Sequence, residues 1–164
     1  MKAVTEKDIR TSFVNCSKGA AQRLTVPRDL AERPWDELDF LGWRDPAAPQ
    51  LGYLVTEHRD RLVGLSLRFP TGRRGFLRRS MCSLCLTTHS GDGVSLVTAA
   101  KAGPAGREGN SVGVYVCTDL SCSLYVRGLK ELGPGGRIHE SLTLDEQIER
   151  TREKLAAFVD QLLG

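Results

Sequence analysis

Hydrophobic and polar positions follow two different periods along this chain. In "LGYLVTE" (51–57) and "DRLVGLSLRF" (60–69) apolar residues crowd together and partly alternate, with a short polar turn between them. That pattern predicts a β-hairpin. "GVSLVTAAK" and "SVGVYVC" read as two further strands, joined by the glycine-rich "AGPAGREGN", which reads as a loop. At the two ends the period turns helical. "TEKDIRTSFVNCS" predicts a helix capped by Thr5, with Asp8 three residues on, and it places Ile9, Phe13 and Cys16 on one face. Cys16 is therefore expected to be a small core residue. "LDEQIERTREKLAAFVDQLL" predicts a long final helix behind a Thr143–Glu146 capping pattern, with Ile148, Leu155, Phe158, Val159 and Leu162 on its buried side. Pro34 suits the first turn of a short helix in "PWDELDFLGWRDPAAP", and "CTDLSCSLYVRGL" can open another. With no long disordered linker between these parts, the expectation is one α+β domain over residues 1–164.

Composition changes little in this picture. The 164 residues suffice for one domain with a real core, and 40% hydrophobic with 26% charged content is ordinary for a soluble protein. No run of apolar residues is long enough to span a membrane. The start, "MKAVTEKDIRTSF", carries charges where a signal peptide needs an apolar stretch, so the expected location is the cytoplasm. Thiols stay reduced there, which makes five cysteines an argument for metal or chemistry before disulfides.

Charge adds one feature. The net charge is +3, but Arg61 to Gly91 contains six arginines and no Asp or Glu. Four of them bracket "RRGFLRR": Arg73, Arg74, Arg78 and Arg79. Such a cluster attracts carboxylates or phosphates, and Arg127 and Lys130 could extend it; as a charge run it could equally be a solvated face. Phe76 and Tyr125 are candidate interface anchors, with core packing as the plainer reading of each. Trp35 and Trp43 are expected in the core or covering the hairpin, and His58 and His139 on solvated turns.

The cysteines carry the sharpest signal. "MCSLC" holds Cys82 and Cys85, and "CTDLSC" holds Cys117 and Cys122, with 31 residues between the pairs. Two close pairs brought together by a hairpin suit a tetrahedral Zn²⁺ site with four thiolates, each sulfur about 2.3 Å from the metal. Cys16 is then the bystander. A knuckle, a hairpin and a ligand at a helix start form the order of a treble-clef zinc finger, and a helix N-terminus favours thiolate charge. Such a site is closed, hence structural rather than catalytic. Four thiolates and one zinc leave it at −2, so some of the arginines could serve to balance it. His89, four residues after Cys85, is expected in an exposed loop or beside the site, with metal ligation as the alternative.

Enzyme readings fit less well. The glycine-rich loop lacks the Gly-Lys-Ser/Thr ending of a P-loop. "HRD" at 58–60 ahead of "MCSLC" only approximates a zinc deaminase, since Asp60 is a methylene short, Met81 replaces the proline, and Cys117 and Cys122 are left unexplained. "HSGDGVS" puts His, Asp and Ser close in sequence, which is weak grounds for a triad assembled in space. No series of stacking aromatics supports sequence-specific RNA reading.

"MCSLCLTTHSGDGVSL", "NSVGVYVCTDLSCSLYVRG", "SFVNCSKG" and "LDFLGWRDP" together resemble the elongation factor G-binding proteins, whose known members are fusidic-acid resistance proteins of the FusB type. The likeness is to their C-terminal treble-clef zinc-finger region, above all to single-domain actinobacterial versions, and it covers nearly the whole chain. The N-terminal helical domain of the resistance proteins finds no room in it. The resemblance implies one structural Zn²⁺ on Cys82, Cys85, Cys117 and Cys122. It also implies binding to elongation factor G, which in the family helps release a factor stalled on the ribosome. The expected function is thus a zinc-stabilised, non-enzymatic partner of that factor, with direct binding of ribosomal RNA as the alternative and a deaminase-like hydrolase as a minor one. No membrane and no small-molecule substrate is expected.

Overall fold

The computed structural model describes residues 1–72 and 76–164, with the side chains of all but Phe76, Leu77 and Arg78. Its elements alternate without a strict repeat. Helix α1 (Glu6–Ser12) and helix α2 (Lys18–Arg23) lead into strands β1 (Phe40–Arg44), β2 (Leu51–His58) and β3 (Arg61–Arg68). Strands β4 (Phe76–Met81), β5 (Thr88–Gly91) and β6 (Val94–Ala100) follow, then α3 (Gly103–Arg107) and β7 (Ser111–Cys117). Helices α4 (Cys122–Val126) and α5 (Leu144–Leu163) complete the chain. The fold is mixed α+β.

Five strands form one antiparallel sheet in the order β1-β2-β3-β6-β7, and β4 and β5 form a separate pair. The β2–β3 turn places Arg59 and Asp60 both at positive φ, as a tight two-residue hairpin turn requires. Alternation along β2 then sends Tyr53 and Val55 to one face and Leu54 to the other. The first face, which also carries Leu41 and Trp43 of β1, is covered by the N-terminal segment through Ile9, Ala21 and Leu24. The second is covered by α5, whose Leu155, Phe158, Val159 and Leu162 meet Val63, Leu65, Val97 and Val116.

Both capping boxes read from the sequence are formed. The Thr5 hydroxyl accepts from the Asp8 N–H, and the Asp8 carboxylate accepts from the Thr5 N–H; Thr143 and Glu146 repeat the arrangement. The first helix is nevertheless shorter than its period suggests. It stops at Ser12, Phe13 leaves in extended backbone to bridge Gly64 of β3, and α2 begins afresh behind Ser17 as its N-cap. Any Cβ on Gly64 would lie 2.5 Å from the Ser12 hydroxyl, so the close approach of α1 to the sheet needs that glycine. Cys16 sits half-buried at the margin of this core.

Three further readings need correction. "PWDELDFLGWRDP" supplies only one 3₁₀ turn, Trp35–Glu37, and its "FLGWR" is the edge strand β1, where pairing to β2 overrides the helical signal of Pro34. The "AGPAGREGN" connection contains the short helix α3, with Pro104 in its first turn. His58 is not on a solvated turn. It ends β2, is buried, and its Nε2 lies 2.9 Å from the Asp160 carboxylate of α5. His139 is exposed, as read. Trp43 is buried and Trp35 half-buried against the N-terminal core.

Candidate metal centre

The connection between β4 and β5 is a knuckle built on Cys82 and Cys85. The Cys82 N–H donates to the Thr87 carbonyl at 2.9 Å and the Leu86 N–H donates to the Cys82 carbonyl at 3.0 Å. That turn needs Leu86 at a φ of +56°. The second knuckle closes one residue sooner: the Leu120 N–H donates to the Cys117 carbonyl at 2.8 Å, with Leu120 at +57°. Left-handed backbone costs a non-glycine residue about 1 kcal/mol or more. At the second knuckle that cost is offset by packing, since Leu120 is buried in the core and presses on β1 at Gly42, where a Cβ would lie 2.5 Å from its own.

Hairpin β6–β7 carries the second knuckle to the first, as the spacing implied. The Ser83 N–H donates to the Tyr115 carbonyl of β7 at 2.8 Å, clipping the first knuckle to the sheet edge. Cys122 opens α4, so one sulfur sits at a helix N-terminus. All four sulfurs are buried and lie within 4.8 Å of one another. The Cys82–Cys122 and Cys85–Cys117 separations are both 3.6 Å. A tetrahedron of sulfurs at about 2.3 Å from a zinc ion has edges of roughly 3.8 Å, so the residues fit the ion.

The electrostatics agree. S–H donation from Cys117, Cys122 and Cys85 holds the Cys82 thiol well below its ordinary range. Hydrogen bonding to Cys117 and Cys82, together with burial, holds Cys122 well above it. Four packed thiols cannot all ionise unaided, and a divalent cation at their centre removes the conflict. The cluster is a site for one structural Zn²⁺, with all four coordination positions filled by protein sulfur.

Around it lies a polar layer that the cysteine spacing did not reveal. Thr87 is buried, with its hydroxyl 3.0 Å from Cys85 Sγ and 2.9 Å from His89 Nε2. His89 is half-buried, not exposed, and burial lowers its pKa despite the opposing fields of Cys82 and Asp119. Asp119 accepts from the Ser121 N–H, the Tyr125 hydroxyl (2.8 Å) and Lys130 Nζ (2.7 Å). Burial alone would raise its carboxyl, but these donors hold it below the usual range. Tyr125 is buried with its ring edge-on to His89, so it is a core residue and not an exposed anchor.

Asp39 is the other residue that sequence reading missed. Both its oxygens face arginines: Arg127, at the C-terminal end of α4, at 2.6 and 2.9 Å, and Arg152 of α5 at 2.8 Å. Its own N–H donates to Ser123 Oγ, so one carboxylate residue ties β1 to α4 and α5. An acid set between apolar neighbours in "LDFLGW" was the available signal.

The predicted basic patch is divided by these contacts. The Arg127 side chain is buried, because the buried Asp39 carboxylate needs its charge. Lys130 is exposed, but its ammonium is held by Asp119. Arg79 is exposed on β4. Arg73, Arg74 and the side chain of Arg78 lie outside the described residues, as does the side chain of Phe76. Among the described residues no helix is long and apolar enough to cross a membrane.

Comparison with known proteins agrees with this geometry. No curated protein matches the chain. A solved structure titled as the fusidic acid resistance protein FusC shares the fold, with a TM-score of 0.55 at 16% identity. The match covers 75% of this chain but 52% of that one, so the chain spans about half the length of its structural relative. The family model described as the FBP C-terminal treble-clef zinc-finger matches residues 8–162, from within α1 almost to the end of α5. With two knuckles, a hairpin and a helix-borne ligand gathered around four sulfurs, the chain belongs to the FBP C-terminal treble-clef zinc-finger family.

Proposed function

We propose that this protein is a zinc-stabilised, non-catalytic binding protein that acts in the cytoplasm on translation elongation factor G and promotes the release of that factor from the ribosome. The observation that carries the reading is the family match across residues 8–162, joined to a fold shared with a fusidic acid resistance protein. Residues 1–164 act as one domain, and Cys82, Cys85, Cys117 and Cys122 are the zinc ligands. A closed four-sulfur site leaves the ion no position for a substrate, so its part is to make the surface rigid before contact. The arginines between residues 61 and 91 supply the attraction. Arg73, Arg74, Arg78 and Arg79 steer the domain to an acidic partner and make association depend on salt. Lys130 stands beside the second knuckle as a weaker contact, shared with Asp119.

Titration of purified elongation factor G, with and without ribosomes, tests this directly. Binding to the isolated factor is expected, and changing Arg73, Arg74, Arg78 and Arg79 together to Ala weakens it by tenfold or more at unchanged zinc content. Failure to bind the factor, with retention on ribosomal RNA instead, overturns the assignment. A free-factor affinity that the quadruple change leaves intact reduces those arginines to a solvated face.

A further inference from the structure

The zinc site has more protein chemistry around it than its four ligands, and one line of contacts has a single consistent hydrogen-bond direction. The Thr87 hydroxyl has one proton. Its nearest sulfur is Cys85 Sγ at 3.0 Å, and Cys117 Sγ is farther away at 3.9 Å. A zinc-bound sulfur is a thiolate and can only accept, so the hydroxyl proton goes to Cys85. The hydroxyl oxygen then accepts, and among the described residues the donor placed on it is His89 Nε2, 2.9 Å away. The same nitrogen lies 3.4 Å from Cys117 Sγ, which it can serve only as a donor.

His89 is thus fixed as the Nε2–H tautomer by what surrounds it. Its ring is held on two sides. Tyr125 stands edge-on with ring centroids 4.8 Å apart, itself anchored by its hydroxyl on Asp119. Behind the ring, Gly93 approaches so closely that a Cβ there would lie 2.5 Å from His89 Cβ. A donor chain from His89 to Thr87 to Cys85, with a branch to Cys117, therefore reaches one sulfur of each knuckle.

We infer that Thr87 and His89 are positioning residues for the zinc ion. They donate hydrogen bonds that spread the negative charge of the Cys85 and Cys117 thiolates, which slows metal loss and lowers the sulfurs' reactivity. The site carries a net −2 once zinc is bound to four thiolates, and nearby cations are committed elsewhere: Arg127, just past the helix that Cys122 opens, to Asp39 and Glu37, and Arg150 to Glu140. Neutral donors close to the sulfur then do the work of compensation. His89 is not a reserve ligand in this arrangement, because its Nε2 proton is already directed at Thr87 and Cys117. The inference rests on the four-sulfur zinc site and is independent of which partner the domain binds.

The test compares Thr87→Val, which keeps the shape and removes the hydroxyl, with Thr87→Ser, which keeps the hydroxyl, and with His89→Phe. Zinc transfer to a chromogenic chelator and the position of the thiolate-to-metal charge-transfer band in the Co²⁺-loaded protein are read for each. Loss of such outer partners typically costs about 10- to 100-fold in metal affinity. Thr87→Val is expected to release zinc at least tenfold faster and to move the band to lower energy. Thr87→Ser should match the parent on both readings, and His89→Phe should fall between. If Thr87→Val and His89→Phe both keep the parental release rate and band, the donors do not act on the metal and the inference fails. It fails equally if Thr87→Ser behaves as Thr87→Val does, since packing and not the hydroxyl would then be responsible. Should Thr87→Val not fold, the His89→Phe band decides alone.

Discussion

The half of the sheet under the N-terminal helices and the half that carries the cysteines are both well buried, yet they are organised by different forces. Around β1 and β2 the core is Ile9, Leu41, Trp43, Tyr53 and Val55, with large side chains, aromatic contacts between Phe13, Trp43 and Tyr53, and a capped helix lying over them. Around β7 and α4 the centre is four thiols and short turns, two of which hold leucines in left-handed backbone. The first region can be assembled from apolar burial and strand pairing alone. The second concentrates polar groups and strained turns, which apolar burial does not reward, so it needs an ion to hold it closed. The lesson is that a zinc site closes strained polar turns at the edge of an apolar core, where burial of Leu84, Val116 and Leu120 alone does not hold them.

The largest test of this contrast is to remove the metal. Cys117→Ser should take zinc content from one per chain to none. Amide protection across the knuckles and α4 should then be lost, while the β2–β3 hairpin keeps much of its own. Emission spectroscopy and hydrogen exchange read the two halves separately. Zinc retained at one per chain would break the ligand set, and uniform loss of protection would show that the halves are one cooperative unit.

The next effect is at their joint. Burial would raise the Asp39 carboxyl, but hydrogen bonds from Arg127 and Arg152 hold it below its ordinary range. A carboxyl depressed by folding contributes stability that is complete above its unfolded pKa, about 3.9, and is lost as pH falls through the lower folded value. Asp39→Asn leaves the buried Arg127 with only the exposed Glu37 carboxylate, 3.3 Å away, and should cost about 3 kcal/mol. It should also flatten the stability curve below about pH 4. Chemical denaturation at two pH values reads both; a parental acid limb in the variant would move that limb's origin elsewhere.

The smallest expected effect compares the two capping boxes. Thr5→Ala and Thr143→Ala each remove an N-cap hydroxyl, worth about 1 kcal/mol. Thr143 caps the helix that packs on the zinc side and Thr5 the helix that packs on the other. Only Thr143→Ala should speed zinc release, and only slightly. Equal acceleration by both would show that the halves communicate more tightly than their separate cores suggest.

Much of this was legible in the residues. The hairpin of β2 and β3, the strands β6 and β7, both capping boxes and the amphipathic α5 follow from local period and cap chemistry, and the cysteine spacing points to zinc because two-residue and four-residue separations suit tight turns. Other features were not legible for physical reasons. Strand β1 was masked by Pro34, since the sequence around it does not state that β2 will offer it a partner. The end of α1 at Ser12 depends on Gly64, fifty-two residues away, admitting the Ser12 and Phe13 side chains. His58 reads as a polar turn residue until α5 brings Asp160 to it.

By itself the sequence determined which atoms could hold a metal and most of the segments that would be strand or helix, because those depend on neighbours a few residues apart. Only the tertiary structure decided how the charges and donors were used. Arg127 was drawn inward to Asp39, eighty-eight residues away, and His89 was turned onto Thr87 and Cys117 by Gly93 and Tyr125. A buried charge takes whatever partner folding puts within reach, and that partner is set by packing between distant segments, which no local pattern records.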